Sequence, residues 1–280
     1  MRQDIADDPG LVPTKLVNER GPYVGRTPAR RLRRFAHHAG LNEVMLELYR
    51  GFGPQRWWPA RTPFEVVIGA ILTQNTSWRN VELALASLSR RIPLTPASLL
   101  SLPVEELAAA IRSSGYYRTK ARKLVEISRW YLDRGGWTAL RREPLAPLRD
   151  DLLAVWGIGP ETADSILCYA LGRRTAVVDV YTRRVLARHE LLDGGLPYEE
   201  VRAWLQRHLV LSQAVYEEFH ALCVAAGARH CEPAPDCRSC PAPTPPALRP
   251  NATAPNKTVP FPFSAVSGAE SARKRPVSKA

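Results

Sequence analysis

The sequence predicts an all-α protein, and three observations carry that prediction. Apolar residues recur at helical spacing through ten segments of about 10–14 residues each. Many of these segments are bounded by Pro, Gly, Ser or Thr, residues that start and stop helices. No segment alternates apolar and polar residues for long enough to make a convincing strand, AVV before Asp179 being too short. With 280 residues and 45% hydrophobic content, the chain can bury the core of one large domain or two small ones.

Taken in order, the first 38 residues mix Gly, Pro and charge and end in RTPARRLRRFAHH, the pattern of a flexible basic arm. LNEVMLELYRGF (41–52) opens the helical part and is closed by glycine. PFEVVIGAILTQ (63–74) begins with proline, and VELALASLSRRI (81–92) and VEELAAAIRSSG (104–115) follow after short connections. KARKLVEISRWYLD (120–133) repeats the spacing; PLRDDLLAVW (147–156) and PETADSILCYAL (160–171) flank a turn with two glycines. VYTRRVLARH (180–189), YEEVRAWLQRHL (198–209) and AVYEEFHALCVAA (214–226) complete the set. The tail after Cys240 holds nine of the 25 prolines, ends in SARKRPVSKA and has no apolar periodicity, the pattern of disorder.

The N-terminus, MRQDIADDPG, is acidic without an apolar run, and no stretch approaches the roughly 18 apolar residues of a membrane span. The expectation is a cytoplasmic protein without a membrane partner. A net charge of +12 points to nucleic acid. Residues 1–40 carry +4 and residues 241–280 carry +5, which leaves +3 for the helical part, so the charge favours non-specific DNA attraction more than a shaped site. Of 39 basic residues only six are lysines, and only Lys120 and Lys123 lie in the helical part. Amine chemistry is therefore scarce, because a guanidinium stays protonated and is no nucleophile.

In LLAVWGIGPETADSILCYA, Gly157 and Gly159 flank Ile158, and Pro160 stands where the next helix begins. Glycines allow close approach of a ligand to the backbone, and the free amides of a helix start suit a phosphate. An ordinary turn between helices has the same pattern.

The whole stretch LLAVWGIGPETADSILCYALGRRTAVVDVYTRRVLAR resembles the helix-hairpin-helix signature of the endonuclease III superfamily of DNA glycosylases. The resemblance implies two helical domains with the active site in a cleft between them, and a hairpin (Gly157, Ile158, Gly159) whose amides grip one strand of double-stranded DNA. It implies a catalytic aspartate at Asp179, which by itself also reads as an N-cap. A fixed anion there would stabilise positive charge on the sugar as the glycosidic bond of a flipped, damaged base breaks.

The segment QRWWPARTPFEVVIGAILTQNTSW, with RSSGYYRTKARKLVEIS, looks like the 3-methyladenine DNA glycosylase III branch. That likeness implies that Trp58 and Pro59 sandwich the extruded base, where an indole suits a cationic alkylated purine. It implies that Gln74 enters the duplex beside the flipped base. Without it, Trp57 and Trp58 read as core anchors and Gln74 as a surface amide at a helix end.

Cys231, Cys237 and Cys240 lie in a Pro-rich loop and read as a metal site more readily than a disulfide. The resemblance implies a [4Fe–4S] cluster here, but with an incomplete cysteine set, since Pro246 stands where the fourth thiolate is expected. Zinc and a vestigial loop are the alternatives. Cys168 and Cys223 read as small buried hydrophobes.

Bifunctional members attack the sugar with a lysine in the hairpin; here that position is Glu161, placed either in the base pocket or toward solvent. The expectation is a monofunctional, monomeric, nucleoid-associated glycosylase of base excision repair. The alternatives are a bifunctional enzyme acting on oxidised pyrimidines and a non-catalytic DNA-binding protein. The expected units are an arm over 1–38, one helical domain from 39–62 with 174–240, a second over 63–173, and a tail over 241–280.

Overall fold

The computed structural model describes residues 32–55, 57–232 and 234–245. Among them there is no strand; the single extended pairing is an isolated bridge between Ala36 and Leu209. Most of the expected arm and tail lies outside the described residues. Their inner edges, however, are packed rather than free. Phe35 and Ala36 are buried, Phe35 packs edge-on against Tyr49, and Ala242 is buried as well.

The helices are α1 (Ala39–Phe52), α2 (Pro63–Leu72), α3 (Trp78–Ser89), α4 (Pro96–Ser101), α5 (Val104–Ala110) and α6 (Tyr117–Asp133). They continue with α7 (Gly136–Leu140), α8 (Leu145–Ala154), α9 (Pro160–Ser165), α10 (Val180–Arg188), α11 (Tyr198–His208) and α12 (Gln213–Arg229). Each of the ten expected segments is helical in whole or part. The short α4 and α7 were not expected.

Several helix starts have an evident cause. Thr62 accepts from Glu65 N–H while Pro63 supplies the first turn of α2, and Thr95 accepts from Ser98 N–H ahead of Pro96 in α4. α2 is buried on nearly every side, and its Gly69 has a packing reason: a Cβ there would lie 2.9 Å from the Trp58 indole nitrogen. α9 runs on into a wider turn over Ile166–Ala170, where Leu171 N–H bonds the Ile166 carbonyl five residues back.

One buried ionic network fixes the hairpin region. Asp164, fully buried on α9, accepts from Arg149 of α8 at 2.9–3.2 Å. It also accepts from Thr175 at 2.7 Å, Tyr198 at 3.0 Å and Arg202 at 3.2 Å. α8, α9, the extended run before Asp179, and α11 thus share one carboxylate. Because the partners complete its hydrogen bonding, the buried charge is tolerable.

Candidate active site

α8 stops at Ala154, and the chain turns back through Val155–Gly159 into α9. Gly157 has φ +84, a left-handed backbone that favours glycine, and a Cβ there would lie 2.6 Å from the Lys123 side chain. Gly159 differs: its φ is −95 and nothing lies within 4 Å of where its Cβ would be. Ile158, expected at a DNA contact, is buried, and its N–H is used by the Val155 carbonyl at 3.1 Å. What the hairpin presents is therefore Gly159 and the start of α9, which no side chain caps.

Asp179 is the N-cap of α10, accepting from Thr182 N–H at 2.7 Å. Both readings of this residue are thus open, since a cap keeps its second oxygen available. That oxygen lies 3.5 Å from His220 Nε2 of α12, and the Asp179 side chain remains 12% exposed. Burial alone would raise its pKa, but the His220 contact and charge and the Thr182 bonds outweigh burial and hold it below the ordinary value.

Glu161 shares the electrostatic environment of Asp179. Burial pushes its pKa up to about 7; the Asp179 charge adds to the rise, while His220 and Arg183 oppose it. The residue nevertheless keeps an exposed surface.

The two lysines of the helical part are both hydrogen-bonded within the fold. Lys120 is buried, and its ammonium donates to the Leu72 carbonyl at 2.8 Å and the Ser114 carbonyl at 2.6 Å. Burial, with Lys123 nearby, lowers its pKa to about 8. Lys123 donates to Gln74 Oε1 at 2.6 Å, and the Gln74 amide nitrogen donates to Thr162 at 2.8 Å. Gln74 is half-buried and tied at both ends between α6 and α9.

The Trp57–Trp58–Pro59 segment combines one buried ring with two partly exposed ones. Trp58, expected against the base, is only 4% exposed and packs on Trp57, Trp78 and Tyr169 at ring centroid separations of 5.4–5.5 Å. Trp57 and Pro59 retain partial exposure. In this structure Trp58 is the anchor, because α2 offers it the Gly69 notch. Neither indole N–H has a partner.

Cys231, Cys237 and Cys240 do not form a metal-holding group among the described residues. Cys231 Sγ instead accepts from Arg188 at 3.1 Å, and its carbonyl accepts from Arg184 at 2.8 Å. Burial holds the Cys237 and Cys240 thiols above their usual pKa, hence protonated. Position 246 lies outside the described residues. The loop supplies three cysteines, one fewer than the four thiolates a [4Fe–4S] cluster takes.

Four further residues were not singled out in the sequence. Tyr169 and His220 stand behind Asp179. Tyr116, 73% exposed with φ +43, heads α6, and Trp156, 43% exposed, lies under Arg122 at 4.0 Å beside the hairpin. Exposure of large aromatics near a turn was the available signal for the last two, and a sequence does not report exposure.

A turn between two helices, opening the second without a side-chain cap, together with a carboxylate capping a nearby helix, defines a helix-hairpin-helix arrangement. The profile of the HhH-GPD superfamily of base excision DNA repair proteins matches residues 68–209. The chain belongs to that superfamily and is a DNA glycosylase of base excision repair. A candidate DNA repair glycosylase of Methanocaldococcus jannaschii is 38% identical over 204 residues, 72% of this chain and 91% of that protein. The H. pylori 3-methyladenine DNA glycosylase bound to 1,N6-ethenoadenine superposes with TM-score 0.56 at 27% identity, covering 64% of this chain and 90% of that one. An endonuclease III trapped covalently on DNA superposes with TM-score 0.60 at 26% identity, covering 71% and 90%. Among the described residues no helix is long and apolar enough to cross a membrane.

Proposed function

We propose that this glycosylase is monofunctional and hydrolyses the bond between deoxyribose and an alkylated purine flipped from double-stranded DNA. The carrying observation is that the position after Pro160 holds Glu161, in the field of Asp179, while Lys120 is locked on two backbone carbonyls. Among the described residues the amines are Lys120 and Lys123, both hydrogen-bonded within the fold, which supports water as the attacking group.

The glycosidic bond breaks as its electron pair leaves with the base, and a base already cationic departs neutral without a general acid. Positive charge passes to the sugar, where ionised Asp179 stabilises it. Water then adds to C1′ and its proton goes to Asp179 or to solvent. With a pKa about 7, Glu161 is an acid in part of the population at neutral pH. Pro59 and Trp57 present the partly exposed faces on which the base stacks, with Trp58 supporting them from the core.

The DNA-facing surface comprises Gly159, the start of α9 and the hairpin's Gly157 turn, which aligns backbone amides with phosphate. Exposed Tyr116 and the Arg122–Trp156 pair suit stacking and backbone contact. Gln74 contacts the duplex only after exchanging its bonds to Lys123 and Thr162. The 3-methyladenine glycosylase likeness favours the purine substrate over oxidised pyrimidines.

Borohydride trapping tests the reading. The expected result is no covalent protein–DNA adduct under conditions where base is released, and loss of release in Asp179→Asn. An adduct that disappears in Lys123→Ala establishes the bifunctional alternative. Unchanged release in Asp179→Asn removes the assigned catalytic group. Iron and sulfide analysis of the purified protein decides the cysteine loop separately.

A further inference from the structure

Behind Asp179, on the side away from the Thr182 cap, stands a buried pair that the reaction above does not use. His220 is 5% exposed on α12, and Tyr169 is 1% exposed on the widened turn that continues α9. The Tyr169 hydroxyl lies 2.7 Å from His220 Nδ1 and 3.1 Å from the Glu217 carbonyl. The other imidazole nitrogen, Nε2, has no hydrogen-bond partner, and the polar atom facing it is Asp179 Oδ2 at 3.5 Å. An unpaired buried nitrogen is costly unless the group it faces gives a return.

The hydroxyl has two outlets, and this matters for charge. With neutral His220 carrying its proton on Nε2, Tyr169 donates to Nδ1. With a cationic ring, Nδ1–H donates to the hydroxyl, which then donates to the Glu217 carbonyl. In both states Nε2–H points at Asp179, and no atom of the Tyr169 hydroxyl or of Nδ1 is stranded.

We propose that His220, oriented by Tyr169, is a positioning residue that presents an N–H to Asp179 and keeps this carboxylate ionised and correctly turned during base release. The inference rests on the glycosylase reading of Asp179. It makes α12, which touches neither base nor DNA in that reading, part of the catalytic apparatus.

The other groups bearing on Asp179 do not replace it. Glu161 on α9 is a like charge. Tyr169, Tyr181 and Cys223 have pKa values raised in part by Asp179 and stay neutral. Arg183 on α10 acts on Glu161, and Thr182 supplies the backbone cap. His220 is the group from another helix that opposes the burial of Asp179. Since an ionised Asp179 is required, activity is lost as pH falls through its pKa; removing His220 raises that pKa and moves the acid limb to higher pH.

Single-turnover base release against pH, with DNA affinity measured separately, tests this on the full chain. His220→Phe should bind DNA within about twofold of wild type yet shift the acid limb upward by about one pH unit, the size expected for a lost neighbouring donor. His220→Gln, whose amide N–H reaches a similar place, should restore most of that shift, and Tyr169→Phe should shift the limb in the same direction by less. A 13C NMR titration of the Asp179 carboxyl should move upward in parallel, a readout independent of turnover. If wild type releases base, Asp179→Asn does not, and neither limb nor titration moves in the His220 or Tyr169 variants, the positioning role is overturned while the glycosylase reading stands. If Asp179→Asn releases base like wild type, both are overturned.

Discussion

Asp164→Ala should be among the most damaging single changes in the hairpin region, although Asp164 touches no part of the candidate active site. The carboxylate accepts from Arg149, Thr175, Tyr198 and Arg202, and it is fully buried. Truncation leaves Arg149, whose side chain is 9% exposed, without its bidentate partner. Stranding one member of a buried ion pair costs about 3–5 kcal/mol. The Arg149 contact to half-exposed Glu199 at 2.5 Å survives, which places the expected loss near the lower end, about 3 kcal/mol. For a urea m-value of about 2–3 kcal/mol/M, the midpoint should fall by about 1–1.5 M at unchanged m. Equilibrium urea unfolding followed by circular dichroism measures this. A midpoint within about 0.3 M of wild type would refute the claim that this carboxylate holds α8, α9 and α11 together.

The two hairpin glycines should separate folding from DNA binding. Gly159→Ala has open space and an ordinary backbone, so stability should stay within about 0.5 kcal/mol while DNA affinity in a filter or anisotropy assay drops about tenfold. Gly157→Ala meets the Lys123 side chain in a left-handed backbone and should lower thermal stability by about 1–2 kcal/mol. The Glu161 carboxyl should titrate near 7 in 13C NMR and move downward in Asp179→Asn, because the neighbouring negative charge that helps raise it is removed. Glu217, buried on α12 beside Gln213, has its pKa raised to about 8 by burial. Its folded pKa exceeds the unfolded one, so the native state holds the proton more tightly. Stability from this group is present below about pH 4.5 and is lost as pH rises toward about 8. Glu217→Gln should therefore flatten the fall in thermal stability between pH 5 and pH 8, and an unchanged slope would count against a neutral buried Glu217.

Much of the fold is legible in the residue pattern because helix starts and apolar stripes are local. Thr62–Pro63 and Thr95–Pro96 announce α2 and α4 chemically, yet α4 is six residues long and too short to show a period. α12 is buried on most of its faces, so periodicity cannot tell which face meets the site. Asp179 and Glu161 were singled out because both lie in the stretch that carries the family resemblance; by pattern alone the first reads as an N-cap and the glycines as an ordinary turn. His220 was not, since its link to Tyr169 spans 51 residues and depends on how α12 docks. Trp58 shows the same limit from the other side: aromatic type was visible, while its depth follows from Gly69 on a different helix. The bond between Gln74 and Lys123, across 49 residues, was likewise invisible in the sequence.

The central claim is that Asp179 directs water, and no lysine directs an amine, at the sugar of an alkylated purine nucleotide. It is tested most directly by incubating the protein with DNA carrying methylated purines, measuring free base, and running the strands with and without alkali. The account predicts release of 3-methyladenine with intact strands that break only after alkali treatment. Strand scission without alkali, at a rate matching base release, would contradict it.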